Sequence, residues 1–171
     1  AFEQSYGGID GDSATAAEII SILSALSRIP VKQSLAITGS VNQKGDIQPI
    51  GGVNEKIKGY FEICSIRGLT GEQGVVIPMQ NVQDLMLSED IIEKVKQGMF
   101  HIYPVSTIEQ AAERMLGLPA GEMNPDFSYP DGTLFGLVDK CLEKLHAVSS
   151  EDEKEHHGAK HTPKRKAKSN E

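Results

Sequence analysis

The sequence predicts an α+β domain, with a mixed sheet that contains a β-hairpin and helices packed around it. Three observations lead there. Runs with apolar residues at helical spacing alternate with short runs of β-type residues. One pair of β-type runs flanks the turn NQKGD (42–46), which reads as a hairpin and breaks the strict alternation of a doubly wound parallel sheet. The 171 residues, 39% apolar and 24% charged, suffice for one core of ordinary size.

The elements follow in order. AFEQSY (1–6) reads as the end of a strand, with Phe2 and Tyr6 in alternation. After the Gly7–Gly8 turn, a helix is expected over Ser13–Arg28. Ile19, Ile20, Leu23 and Leu26 mark its apolar face, and Pro30 stops it. KQSLAITGSV (32–41) reads as a strand and IQPIGG (47–52) as its hairpin partner, with Pro49 at an edge or bulge. A second helix is expected over Val53–Ile66, then a buried strand at GVVIP (74–78) and helical turns within 82–98. MFHIYPV (99–105) is a strand. STIEQAAERMLG (106–117) is a helix opened by Ser106 or Thr107 and closed by Gly117. A Pro/Gly-rich loop at 118–132 leads to a last amphipathic helix at 133–148. Residues 149–171 have almost no apolar side chains and are expected to be disordered, which divides the chain into a domain, 1–148, and a charged tail, 149–171.

Charge and motifs exclude several classes. From Ser150 on there are six Lys/Arg against five Asp/Glu, so the body carries −8 of a total of −7. An acidic body argues against nucleic acid as a partner, although the run KRKAK could touch anions. No apolar run approaches the ~20 residues of a membrane span, and no signal-peptide pattern opens the sequence. Cys64 and Cys141 have no metal-ligand spacing and read as reduced thiols, which suits a cytoplasmic location. His156, His157 and His161 could bind metal, but nothing in the sequence orders them. There is no P-loop, no G-x-G-x-x-G and no G-x-S-x-G elbow. His101 and His146, the only histidines before the tail, lack an acidic neighbour in sequence.

Ser13 then admits two readings. It stands at a helix start, where Ser is a preferred cap, and Asp12 or Thr15 with Glu18 could cap the same end. The same place suits a nucleophile, because free N–H groups at a helix start can hold an oxyanion. A serine needs a base, and without a credible histidine that base is a lysine. In VNEKIKGYFEIC (53–64), Val53, Ile57, Tyr60, Phe61 and Cys64 form the buried stripe. Lys56, with Tyr60 and Ile63 at i+4 and i+7, borders it and is expected to be buried. Lys58 lies about 200° away and pairs with Glu62 at i+4. Burial would favour the neutral amine that a base requires. The other reading has Lys56 simply lying along the helix flank.

Four blocks in order, DGDSA, AITGSVNQKGDIQPIGGVNEKI, VVIP and IYPVSTIEQA, resemble the proteolytic domain of Lon-type ATP-dependent proteases, from about Tyr6 to Gly117. The GDSA form looks closer to the LonB-like branch. The resemblance implies that Ser13 is the nucleophile of a Ser-Lys peptidase and Lys56 its general base, with Thr38 orienting the lysine. Asp10 and Asp12 are acidic positions near the pair, Gly11 belongs to the serine turn, and Gly51 and Gly52 to the turn before the lysine helix. It implies an acyl-enzyme mechanism on unfolded or regulatory protein substrates and a ring-shaped, hexameric assembly. It also implies a fragment of a longer chain whose ATPase module binds ATP and Mg, with no metal or cofactor in this part and the family's first strands missing. The alternative is a non-catalytic Lon-like assembly or binding module.

Overall fold

The computed structural model describes residues 11–158, and of these the side chains up to Ser149. The expected strand at 1–6, the Gly7–Gly8 turn and Asp10 lie outside the described residues. The elements are α1 (Thr15–Ser27), β1 (Leu35–Ile37), β2 (Ser40–Val41), β3 (Ile47–Gln48), α2 (Val53–Arg67), β4 (Gly74–Pro78), a 3₁₀ turn (Met79–Asp84), α3 (Glu89–Lys96), β5 (His101–Val105), α4 (Ile108–Leu116) and α5 (Leu134–Gly158).

Among the described residues the strands form two sheets. β1, β4 and β5 make a parallel sheet in the order β1-β4-β5, while β2 and β3 form a separate antiparallel hairpin. The single expected strand at 32–41 splits at Gly39. Its N–H donates to the Ser13 carbonyl at 2.9 Å and its carbonyl accepts from the Ala16 N–H at 3.0 Å, so the chain leaves the sheet to hold the start of α1. A Cβ on Gly39 would stand 3.1 Å from the Ile47 side chain, a close approach that glycine avoids. In the hairpin turn, the Asn42 carboxamide oxygen accepts the N–H groups of Lys44 and Asp46, and Gly45 takes φ 87°.

GVVIP is apolar without alternation because both faces of β4 are covered. Val76 points into a cluster with Ala16, Ile20, Ala111, Met115 and Leu134, from α1, α4 and α5. Val75 and Ile77 point into a second cluster with Ile57, Phe61, Ile91 and Phe100, under α2 and α3. Phe100 is fully buried, with the Phe61 ring edge-on at 5.2 Å. Phe100→Ala is expected to destabilise the fold by about 3–5 kcal/mol, read from the denaturation midpoint.

Helix ends follow local chemistry. Thr107 caps α4, accepting from the Gln110 N–H, and the Gln110 side chain accepts from the Ser106 N–H at 2.8 Å. Gly117 closes α4 in the left-handed region. α5 runs to Gly158, ten residues past the expected boundary at 148. SEDEKE is rich in Glu and Lys, residue types that extend an already nucleated helix. Residues 159–171 and the three tail-histidine side chains lie outside the described part. Cys64 is buried, Cys141 half-buried, and both are free. Among the described residues no helix is long and apolar enough to cross a membrane.

Candidate active site

The turn before α1 is fixed by backbone bonds. The Asp12 carbonyl accepts from the Thr15 N–H at 3.1 Å and the Thr15 hydroxyl at 2.6 Å. The Ser13 carbonyl accepts from the Gly39 N–H at 2.9 Å and the Thr38 hydroxyl at 3.2 Å. Gly11 enters the turn at φ 96°. α1 has no side-chain cap at its N-cap residue, Ala14. The capping reading of Ser13, Asp12 and Thr15 is therefore corrected. The carbonyls of Asp12 and Gly39 take up the N–H groups of Thr15 and Ala16, and the Ser13 hydroxyl is left for another partner.

That partner is Lys56. Gly51 and Gly52 turn the chain into α2, with Gly52 in the left-handed region at φ 68°, and its carbonyl accepts from the Lys56 N–H at 3.1 Å. From the first turn of α2 the Lys56 side chain reaches Ser13, with Nζ 2.7 Å from Oγ and 3.3 Å from the Thr38 Oγ1. Thr38 is buried, and its single proton is committed to the Ser13 carbonyl. Toward Lys56 the Thr38 oxygen can only accept. An amine N–H held by Thr38 leaves the nitrogen lone pair free to face Ser13.

The expected burial of Lys56 is corrected, because the residue is exposed. α2 buries Val53, Ile57, Phe61 and Cys64, whereas the neighbouring row contains the half-buried Tyr60 and the exposed Ile63. Lys56 stands on the open rim of the stripe. Lys58 is exposed and 3.8 Å from Glu62, as its helical phase suggests.

The other candidates lie around the pair without touching it. The Asp12 carboxylate accepts from the Ser40 hydroxyl at 2.6 Å. Ser40 is buried and was not singled out in sequence, where its only signal is a hydroxyl two residues after Thr38. Asp10 is outside the described residues. No group of three His, Cys, Asp or Glu among the described residues could hold a metal ion.

Ser13, Thr38 and Lys56 open onto a cavity of about 290 Å³, walled by Ala17, Ala36 and Val75. A larger cavity of about 590 Å³, lined by Lys32, Glu72, Tyr103 and Arg114 among others, contains neither Ser13 nor Lys56. One turn beyond Lys56, the Tyr60 hydroxyl donates to the Ser34 carbonyl at 2.9 Å. Burial, reinforced by Cys64, pushes the Tyr60 phenol up from 10.0 to about 12. The folded chain holds this proton more tightly than the unfolded chain. Its contribution is complete below pH 10 and is lost as the pH rises toward 12. Tyr60→Phe is expected to flatten that alkaline loss in pH-dependent denaturation.

Residues 7–117 match the Lon protease (S16) C-terminal proteolytic domain. The chain is 49% identical over 142 residues to a Lon protease homolog of Haemophilus influenzae, covering 83% of this chain and 24% of that protein. It is 51% identical over 117 residues to a Lon protease homolog of Escherichia coli, covering 68% and 20%. It is 40% identical over 112 residues to the archaeal Lon protease of Thermococcus kodakarensis, covering 66% and 16%. The chain therefore matches no more than a quarter of the length of these relatives. Ser13, Thr38 and Lys56 all fall inside the matched stretch, and the chain belongs to the family of Lon protease (S16) C-terminal proteolytic domains.

Proposed function

We propose that the chain is a serine-type endopeptidase domain that cuts polypeptides by acyl transfer through Ser13 and Lys56. The observation that carries this reading is the 2.7 Å approach of the Lys56 nitrogen to the Ser13 oxygen. Neutral Lys56 takes the hydroxyl proton as Oγ attacks the peptide carbonyl carbon. The N–H groups of Thr15 and Ala16 are already engaged, so those of Ser13 and Ala14 are the donors left for the oxyanion. As the tetrahedral centre collapses, the Lys56 ammonium gives its proton to the leaving amine. Water then attacks the acyl-enzyme, losing a proton to Lys56, and as the ester C–O bond breaks Lys56 returns that proton to the Ser13 Oγ, which restores both groups.

Thr38 is a positioning residue in this scheme. Thr38→Val removes both the acceptor that turns the amine and the donor to the Ser13 carbonyl, which keeps the Gly39 N–H, and kcat is expected to fall at least about tenfold with KM little changed. The proposal extends to a wider setting, in which an ATPase elsewhere in a longer protein uses ATP and Mg to unfold substrates and feed a homo-oligomeric, hexameric ring in the cytoplasm. The test is incubation with an unfolded polypeptide and mapping of new termini by mass spectrometry. Cleavage by the parent chain and by Lys58→Ala supports the reading, and cleavage by neither opposes it.

A further inference from the structure

Outside the matched residues 7–117, the loop at 118–132 and α5 build two surfaces that complement each other. Phe127 stands at φ 67°, and among the described residues only one other non-glycine residue, Arg28 at φ 61°, has positive φ. A phenylalanine adopts that backbone reluctantly. Its own chain offers no burial in return, because the side chain is 78% exposed.

The loop holds it there nonetheless. The Phe127 N–H donates to the Asn124 carbonyl at 3.0 Å, and the Asn124 N–H to the Ser128 carbonyl at 2.8 Å. The Ser128 N–H and hydroxyl donate to the Asp126 carboxylate at 3.1 and 2.6 Å. An exposed ring thus sits on a stiffened tip, next in sequence to Asp126, on a loop that also exposes Glu122.

The second surface is a groove of about 570 Å³ between the C-terminal end of α1 and α5. Leu26, Leu137, Leu145 and Val148 line it, and the last two are more than half exposed. They continue the stripe that docks α5 on the body through Leu134 and Val138. Arg28, Lys140 and Lys144 rim the groove. Lys140 is taken by Asp131 at 2.6 Å, whereas Arg28 and Lys144 have no carboxylate partner among the described residues.

We infer that the two surfaces meet between copies of this chain. The Phe127 ring of one copy seats against Leu145 and Val148 of another, with Asp126 and Glu122 facing Arg28 and Lys144. An aromatic anchor in an apolar pocket with a charged rim is the usual anatomy of a binding hot spot. The strained, stiffened tip lowers the ordering cost of association, and the opposite charges set the register. Knob and groove are different patches, so a reciprocal pair or a closed ring uses all of them. The inference stands independently of the chemistry at Ser13.

The test is molar mass by sedimentation across a concentration series of the whole chain. The parent is expected to associate. Phe127→Asp and Leu145→Asp are each expected to shift the association midpoint at least 100-fold, while far-UV circular dichroism and peptide cleavage stay unchanged. An equimolar mixture of the two variants regains dimers, because one supplies the groove and the other the knob. Phe127→Gly is expected to raise the melting temperature while weakening association, the reverse of what a merely structural phenylalanine would do. A parent chain that stays monomeric, as it would if Phe127 served a different protein, overturns the inference. So does a Phe127→Asp chain that assembles like the parent, or a mixture that fails to recover.

Discussion

Lys56→Arg abolishes peptide cleavage as completely as Lys56→Ala. Arginine keeps the positive charge and comparable reach, so a lysine needed only as a cation would be replaced. A guanidinium stays protonated and cannot accept the Ser13 proton, so a base is lost altogether. General-base removal alone is expected to lower kcat on the order of 10²–10⁴-fold. Lys58→Ala, in an exposed pair with Glu62, is expected to change cleavage little. Steady-state kinetics on a short fluorogenic peptide measure all of these, and an active Lys56→Arg chain would remove the lysine from the proton path.

Ser13→Ala takes cleavage to background while the fold keeps its stability. The first turn of α1 is held by the carbonyls of Asp12 and Gly39, and the Ser13 hydroxyl caps nothing. The stability change is expected to stay below the ~1 kcal/mol of a lost N-cap. The double variant Ser13→Ala/Lys56→Ala should be no slower than either single variant, since the two groups serve one proton transfer. Additive losses in kcat would show two separate roles.

The site was legible in the sequence to the extent that local rules govern it. Helical phase separated Lys56 from Lys58, and the structure points them to Ser13 and to Glu62 respectively. Phase gives an angle around the helix axis but not what covers the rim of the stripe, so the exposure of Lys56 was out of reach. The split of the expected strand 32–41 depends on the contact of Gly39 with α1, a long-range bond with no local signal. The Ser40–Asp12 bond spans 28 residues and was hidden for the same reason. Helix capping rules succeeded at Thr107 and Gly117, where the partners are three or four residues away. They failed at Ser13, where backbone carbonyls do the capping, Asp12 locally and Gly39 across the fold. The α5 extension to Gly158 was not legible because low apolar content argues against a packed core, not against propagation of a nucleated helix.

The most direct measurement of the central claim is covalent labelling with a serine-directed acylating reagent, read by intact mass and peptide mapping. The expected result is one adduct on Ser13, absent in Ser13→Ala and Lys56→Ala and retained in Lys58→Ala. An adduct on another serine, equal labelling of Ser13→Ala, or labelling of Ser13 that is indifferent to Lys56 would contradict it.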